Sequence, residues 1–262
     1  MLKSQIMSKI LFIALIFLFL IWSFFIEPNL IVIKNYKFKI PQAEGMKIVF
    51  VSDFHIAKQD KKRLRRIVKK INKQNPDVVL SCGDYIKGYS GRNTLDIISQ
   101  TEELKKIKAP FITILGNHDG HFDKENIAKT LKNAGFTVLN NSNIKFKNLY
   151  IAGLDDIQTG SPDSNKALNG TKSPRIILTH SPDTYYDIKD NVDLILAGHT
   201  HGGQVSLPFI GALVVPSDYG VKFAKGIIKE TQNTMLITKG LGTSILSLRF
   251  LTIPEIVVID VE

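Results

Sequence analysis

Five short apolar runs in this chain each end in a small cluster of aspartate, histidine, asparagine or glycine. Residues 46–51 lead to Asp53-Phe54-His55, residues 78–82 to Gly83-Asp84, and residues 111–115 to Gly116-Asn117-His118-Asp119. Residues 176–178, with Thr179, lead to His180, and residues 194–197 to Gly198-His199-Thr200-His201. A short continuous apolar run bounded by turn formers predicts a strand buried on both faces. Sheets of that kind need covering layers, and the polar clusters at their strand ends can converge on one site.

Between the first three runs lie helical patterns. Nine of the sixteen residues 58–73 are Lys or Arg, while Leu64, Ile67, Val68 and Ile71 recur at helical spacing. This predicts a helix with an apolar face on the sheet and a basic face in solvent. Further helices are expected over residues 94–107 and from an Asp123 N-cap to about Ala134. Strand, motif and helix therefore alternate in the first half, as in βαβ units, where ligands gather at the carboxyl ends of strands. The second half is richer in strands, expected at residues 149–152, 175–178, 194–197, 234–238 and 255–261, with a half-buried strand around Tyr36, Phe38 and Ile40. Residues 157–173 read as a loop with a short helix at its centre.

The chain opens differently. Residues 10–26 are apolar except for Ser23. As a helix they span about 25 Å, close to the ~30 Å of a bilayer core. Trp22, Phe24 and Phe25 suit an interfacial belt, and Glu27-Pro28-Asn29 breaks this segment from the rest of the chain. The segment reads as an uncleaved single-span anchor. A cleaved signal lacks a small-x-small cleavage site here, a buried core helix is the third reading, and no Arg-Arg pair marks twin-arginine export. Residues 1–28 are thus expected to form a tail and transmembrane anchor, and residues 29–262 one catalytic domain. Lys3 and Lys9 ahead of the segment nearly balance Lys34, Lys37 and Lys39 behind it, so the side of the cell membrane that holds the domain stays open.

Net charge is +10. Because the chain is tethered near a membrane on this reading, the basic helix can also meet anionic lipid headgroups. No aromatic residues interleave with its charges, which disfavours single-stranded nucleic acid as a partner. The single cysteine, Cys82, excludes an intramolecular disulfide and reads as a buried structural thiol.

The polar clusters carry the chemistry. A phosphoester resists attack because its oxygens are negative and the leaving oxygen departs as an anion. Two divalent cations about 3.5–4 Å apart meet both difficulties, by generating a bridging hydroxide and neutralising phosphoryl charge. Carboxylate, imidazole and amide oxygen are suitable ligands for such ions. Asp53 and His55, like His199 and His201, are i, i+2 pairs. Asp84 is the natural bridge, having two oxygens to share. Asn117 offers an amide oxygen, and His180 an imidazole. His118 is better placed as a cation or general acid at the leaving oxygen, with Asp119 orienting its ring. His121 stands outside these motifs and reads as an ordinary loop histidine.

These five blocks, in this order, resemble the calcineurin-like metallophosphoesterase superfamily over nearly the whole chain from about Leu30. The resemblance implies an α/β fold of two β-sheets packed as a sandwich and flanked by helices, with a dinuclear site between the sheets. It implies one metal held by Asp53, His55, Asp84 and His201, and a second by Asp84, Asn117, His180 and His199. It assigns His118 to the leaving group. The metals would be Mn, Fe, Zn or Mg.

Glu27-Pro28, the Gly198–Val205 block, Pro216-Ser217 with Tyr219-Gly220, Gly240-Leu241-Gly242-Thr243-Ser244, Arg249-Phe250 and Pro254-Glu255-Ile256 resemble the membrane-tethered bacterial branch of YaeI and YkuE type. The UDP-diacylglucosamine pyrophosphatase of chlamydial type is similar to this branch, whereas soluble lipid-A precursor pyrophosphatases carry arginine where His118 stands. The expected function is a membrane-anchored dinuclear-metal phosphodiesterase acting on phosphodiester or pyrophosphate bonds. The alternatives are a lipid-linked pyrophosphatase, a nuclease and a non-catalytic tethered module. Residues 245–253, with Phe209, Ile210 and Leu213, are read either as a lipid-facing wall or as strand and core.

Overall fold

The computed structural model describes residues 2–262. An α-helix, Leu2–Ile21, continues through a π turn, Trp22–Ile26, and a 3-10 turn, Glu27–Asn29. Residues 5–29 of this helix are long and apolar enough to cross a membrane. Most of its large apolar side chains are exposed. The side chain of Lys3, one of the two lysines expected ahead of the apolar run, lies outside the described residues.

Two six-stranded mixed sheets come next. The first runs, in spatial order, Val32–Phe38, Glu255–Val261, Lys47–Val51, Val78–Ser81, Phe111–Thr113 and Thr137–Val138. The second runs Gly226–Ile228, Met235–Ile237, Leu194–Ala197, Arg175–Thr179, Leu149–Gly153 and Ser142–Phe146. Three neighbours of the first sheet are parallel in the βαβ manner, with Val49 opposite Val79 and Leu80 opposite Ile112. Their crossovers are the helices Lys61–Lys73 and Ile97–Leu104.

The period of two sorts the strand residues into layers. Ile48, Phe50, Val78, Leu80, Val257 and Ile259 face Leu149, Ile151, Ile176, Leu178, Leu194 and Leu196 of the second sheet, forming the sandwich core. Their neighbours Val49, Val51, Val79, Ile256 and Val258 face outward onto Leu64, Ile67, Ile71, Leu104, Ile127 and Leu131 of the helices. Beyond the second sheet, Ile177, Ile195, Met235 and Ile237 meet Tyr185, Phe223 and Leu168. The fold is therefore the expected sandwich of two sheets flanked by helices. Burying Leu64, Ile67, Val68 and Ile71 fixes the basic helix, each contributing about 1.5–3 kcal/mol.

Several elements differ from expectation. The second helix is shorter, Ile97–Leu104, because Asp96 caps it by accepting from the Ser99 N–H at 2.8 Å. The next helix begins at Asn117, not after Asp123. Asp123 interrupts it with φ −168°, ψ 74°, and its Oδ1 accepts from the Asn126 N–H at 3.2 Å, so it caps only the second segment. The edge strands Ser142–Phe146 and Gly226–Ile228, and the hairpin Ser206–Leu207 with Gly211–Ala212, are too short or too polar to show an apolar period. Residues 245–253 form no continuous strand. They are a loop held by a bridge between Val205 and Phe250, with Ile245, Leu246 and Leu251 exposed.

Glu27-Pro28-Asn29 does more than separate the apolar helix from the domain. Glu27 is fully buried, and its carboxylate accepts from the N–H groups of Leu251 at 3.0 Å and Thr252 at 2.6 Å, and from Trp22 Nε1 at 2.6 Å. Arg63 of the basic helix, itself buried, donates to the carbonyl oxygens of Pro28 and Leu241. The helix end is stitched to the domain by charge-assisted hydrogen bonds.

Candidate metal centre

The five polar clusters meet where the carboxyl ends of the two sheets' central strands come together. Asp53 and His55 follow Lys47–Val51, Asp84 follows Val78–Ser81, and Asn117 opens the helix after Phe111–Thr113. His180 follows Arg175–Thr179, and His199 and His201 follow Leu194–Ala197. All seven are buried.

Imidazole nitrogens and carboxylate oxygens converge from both sheets. His55 Nε2 lies 3.2 Å from His201 Nε2 and 3.3 Å from Asp84 Oδ2. His180 Nε2 lies 3.4 Å from the same Asp84 oxygen, 3.0 Å from Asn117 Oδ1 and 3.2 Å from His199 Nδ1. His201 Nε2 is 3.6 Å from Asp53 Oδ1. Three overlapping triads have ligand atoms within 4.8 Å of one another: Asp53–His55–His201, His55–Asp84–His118 and Asp53–Asp84–His180.

Two observations show that this donor set fits cations. Asp84 Oδ2 is buried without a hydrogen-bond partner while lying between two imidazoles, an arrangement that costs desolvation free energy unless something positive binds there. The imidazole tautomers are also set. His55 Nδ1 donates to the Ile86 carbonyl at 2.6 Å and His180 Nδ1 to the Cys82 carbonyl at 2.7 Å, which leaves each Nε2 lone pair facing the centre. The triads therefore make a binuclear site for divalent metal ions of unspecified identity.

The backbone bends to present these groups. Asp53, His55, Asp84, His199 and His201 all have positive φ, between 39° and 70°. Left-handed backbone costs a non-glycine residue about 1–2 kcal/mol, and such residues cluster at functional sites. Behind them the packing tolerates no side chain at two positions. A Cβ on Gly116 would collide with the Asp84 carboxylate and the His180 ring, and one on Gly83, at φ +83°, with the backbone of Leu115 and Gly116.

Asp119 departs from its expected part. Its oxygens do not touch the His118 ring. They accept from the backbone N–H groups of Asp84 (2.8 Å), Tyr85 (2.8 Å), Ile86 (3.1 Å) and Gly116 (3.1 Å). At the third position of its helix a carboxylate reaches these unpaired N–H groups more easily than a ring on the neighbouring residue. Asp119 thus clamps the Asp84 turn to the Gly116 turn. Burial pushes its pKa up to about 7.

His118 is held by other groups. Its ring stacks on Tyr89 at 4.4 Å and meets the edge of His55 at 4.7 Å. Its Nε2 lies 3.2 Å from Ser244 Oγ, while the buried Nδ1 has no partner. Burial lowers its pKa to about 4. Burial lowers that of His199 to about 3. His121 lies exposed, edge-on to Tyr89 at 5.0 Å.

Residues outside the motifs complete the centre. Gln158 Oε1 accepts from Asn117 Nδ2 at 2.8 Å, turning Asn117 Oδ1 towards His180, and its amide lies 3.2 Å from His199 Nε2. The fully buried Arg249 lies 3.3 Å from His201 Nδ1 and donates to the carbonyls of Lys239 (2.8 Å), Gly242 (3.0 Å) and Thr252 (2.7 Å). Gln158 sits in a polar loop with no sequence signal, whereas a single arginine in a long apolar stretch is a signal for Arg249. Beside the centre opens a cavity of about 420 Å³, floored by Asn117, His118, His199 and His201 and walled by Leu213, Val214, Ile245, Leu246 and Leu248.

Residues 46–203 match the family model described as calcineurin-like phosphoesterase. The chain is similar to the metallophosphoesterase YkuE of Bacillus subtilis (strain 168), with 34% identity over 91% of this chain and 88% of that protein. It is similar to the phosphodiesterase YaeI of Escherichia coli (strain K12), with 30% identity over 83% of each. A solved archaeal phosphodiesterase aligns with a TM-score of 0.44 and 15% identity over 74% of this chain and 84% of that one.

Proposed function

The chain belongs to the calcineurin-like phosphoesterase family and is a metal-dependent hydrolase, and on that premise we propose that it is a membrane-anchored phosphodiesterase cleaving phosphodiester or pyrophosphate bonds. The observation that carries this reading is the unpartnered Asp84 oxygen poised between His55 of one half-site and His180 of the other. Asp53, His55, Asp84 and His201 would hold one divalent ion, and Asp84, Asn117, His180 and His199 the second. When bound, the ions supply an activated water and charge neutralisation for the phosphoryl oxygens.

The chain's own groups do the rest. Asp84 and Asp53 set the negative charge that a cation pair needs. Gln158 fixes the amide of Asn117, and Arg249 braces the loop that faces His201. His118, 3.2 Å from Ser244, sits at the cavity floor, where its ring can contact the leaving oxygen and Ser244 can hold that ring. The metal-centre side chains are themselves buried, which strengthens each of these electrostatic contacts.

Anchoring is supported by the exposed apolar helix that ends at Trp22 and Glu27, with residues 1–28 as the anchor and 29–262 as the catalytic unit. The apolar wall of the cavity favours a second, narrower reading, in which the substrate is a lipid-linked pyrophosphate such as a UDP-acylglucosamine. Hydrolysis of bis-nitrophenyl phosphate by full-length enzyme in detergent tests the general reading. Activity should be abolished by Asp84→Ala and His199→Ala in folded protein, and unchanged turnover would end it. Comparing lipid-linked with soluble substrates tests the narrower one, which a strong preference for the soluble diester would refute.

A further inference from the structure

Three apolar features of the surface are joined to one another. The loop after Ser244 exposes Ile245 (79%), Leu246 (60%) and Leu251. The hairpin Ser206–Leu207/Gly211–Ala212 carries Phe209, fully exposed, and Ile210 (68%) at its tip. The N-terminal helix exposes Phe17, Leu18 and Phe25. The hairpin and the loop are bonded together, since the Ser206 N–H donates to the Phe250 carbonyl at 2.8 Å and the Phe250 N–H to the Gln204 carbonyl at 2.9 Å. From Ser206 to Phe209 is three residues, at most about 10 Å of chain.

The loop in turn climbs the helix. Phe250 packs edge-on against Phe19 at 4.8 Å, and the Arg249 N–H donates to the Ser23 carbonyl at 2.9 Å. Both contacts fall inside the apolar segment, not at its end. Phe19 stands seven residues before Ile26, about 10 Å along the axis. If the helix lies in a bilayer, residues 249–251 sit at the depth of the headgroup and acyl boundary, the depth reached by monotopic apolar elements. Ile245, Leu246 and Leu248 also wall the cavity over His118 and His199.

We propose that the hairpin tip Phe209–Ile210 and the loop at Ile245–Leu251 form a rim that inserts into the same leaflet as the N-terminal helix, opening the metal centre's cavity directly into the lipid. The partner is the bilayer leaflet, and the substrate class is an amphiphile whose phosphoryl group lies at the headgroup level. This rests on the anchored-phosphodiesterase reading and adds a second, independent membrane contact.

Because Cys82 is buried, single cysteines at exposed positions can be labelled selectively. The full chain is reconstituted in phosphatidylethanolamine–phosphatidylglycerol vesicles, with a nitrobenzoxadiazole label on Phe209→Cys, Ile210→Cys or Ile245→Cys. Lys147→Cys serves as control, because Lys147 is exposed in the turn at the opposite, amino end of the second sheet's strands. The rim labels should shift to the blue and be quenched by nitroxide-labelled lipids, and the control should do neither. Phe209→Asp combined with Ile210→Asp should leave soluble-diester turnover unchanged and cut turnover of a vesicle-embedded phosphodiester about tenfold. Rim labels that emit like the control in carbonate-resistant protein would overturn the rim alone. Extraction of the whole chain by carbonate would overturn anchoring and the rim together. Blue-shifted labels that lipid nitroxides fail to quench would mean that protein covers this face, and would also overturn it.

Discussion

Asp84→Asn isolates the charge at the heart of the centre without changing its shape. The substituted amide would keep an acceptor for the His118 N–H, which in the native protein lies 2.9 Å from Oδ1. Its NH2 group would replace the unpartnered Oδ2 and could donate to His55 or His180, 3.3 and 3.4 Å away. Without metal, then, the exchange should change stability by less than about 1 kcal/mol, the net worth of a typical hydrogen bond. With metal at about a thousand times its dissociation constant, the wild type gains about 4.1 kcal/mol by linkage. For a domain of roughly 230 residues, each kcal/mol moves Tm by about 2–4 °C, so metal should raise the wild-type Tm by about 8–16 °C. The variant should lose most of that rise. Thermal unfolding of both proteins in detergent, after chelation and again with excess Mn2+, measures the four values. An equal metal-induced rise in both, or an equal loss in both conditions, would refute the bridging role.

Other perturbations separate structure from site. Arg249→Met should cost about 3–5 kcal/mol in urea unfolding, because two buried carbonyls and the half-buried Lys239 carbonyl lose their donor; Arg249→Lys should recover part of it, and full stability in both would show that Arg249 is dispensable. Glu103, buried and paired with Lys106 at 2.6 Å and Arg65 at 3.0 Å, has a pKa held below the ordinary value by Lys106, against its burial, and by Arg65. A depressed carboxylate stabilises the fold above its unfolded pKa and ceases to as pH falls through the folded one. Glu103→Gln should therefore lower Tm at pH 7 by about 1–4 °C, worth about 0.5–1 kcal/mol with partners so exposed. That deficit should begin to shrink as pH falls below the ordinary carboxylate value of about 4.3 and be gone once pH is below the depressed folded pKa, and a constant deficit across pH would refute the assignment.

Legibility in the sequence tracks burial. Strands such as Val78–Ser81 and Leu194–Ala197 are covered on both faces, so their apolar runs are unbroken and their ends are marked by the polar residues after them. The same physics makes the convergence of Asp84 with His180 and His201 foreseeable, since parallel strands gather their carboxyl ends. Ser142–Phe146 is too polar and Gly226–Ile228 too short for an apolar alternation to show in the sequence. Asp119 misleads because adjacency in sequence suggests a partner in His118. Four unpaired backbone N–H groups at a helix start and the neighbouring turn outcompete the ring. Gln158 is silent in the sequence because a loop amide signals its target only in three dimensions.

The buried Glu27 carboxylate has one more implication. A domain on a slack leash would sample every heading and meet substrate by chance. Here Leu251 and Thr252 of the domain share one carboxylate at the helix end, itself held by Trp22, and this resists swivelling of the catalytic mouth against the helix. Whatever holds that helix also aims the mouth, and lengthening the junction would spoil the aim while leaving the chemistry intact.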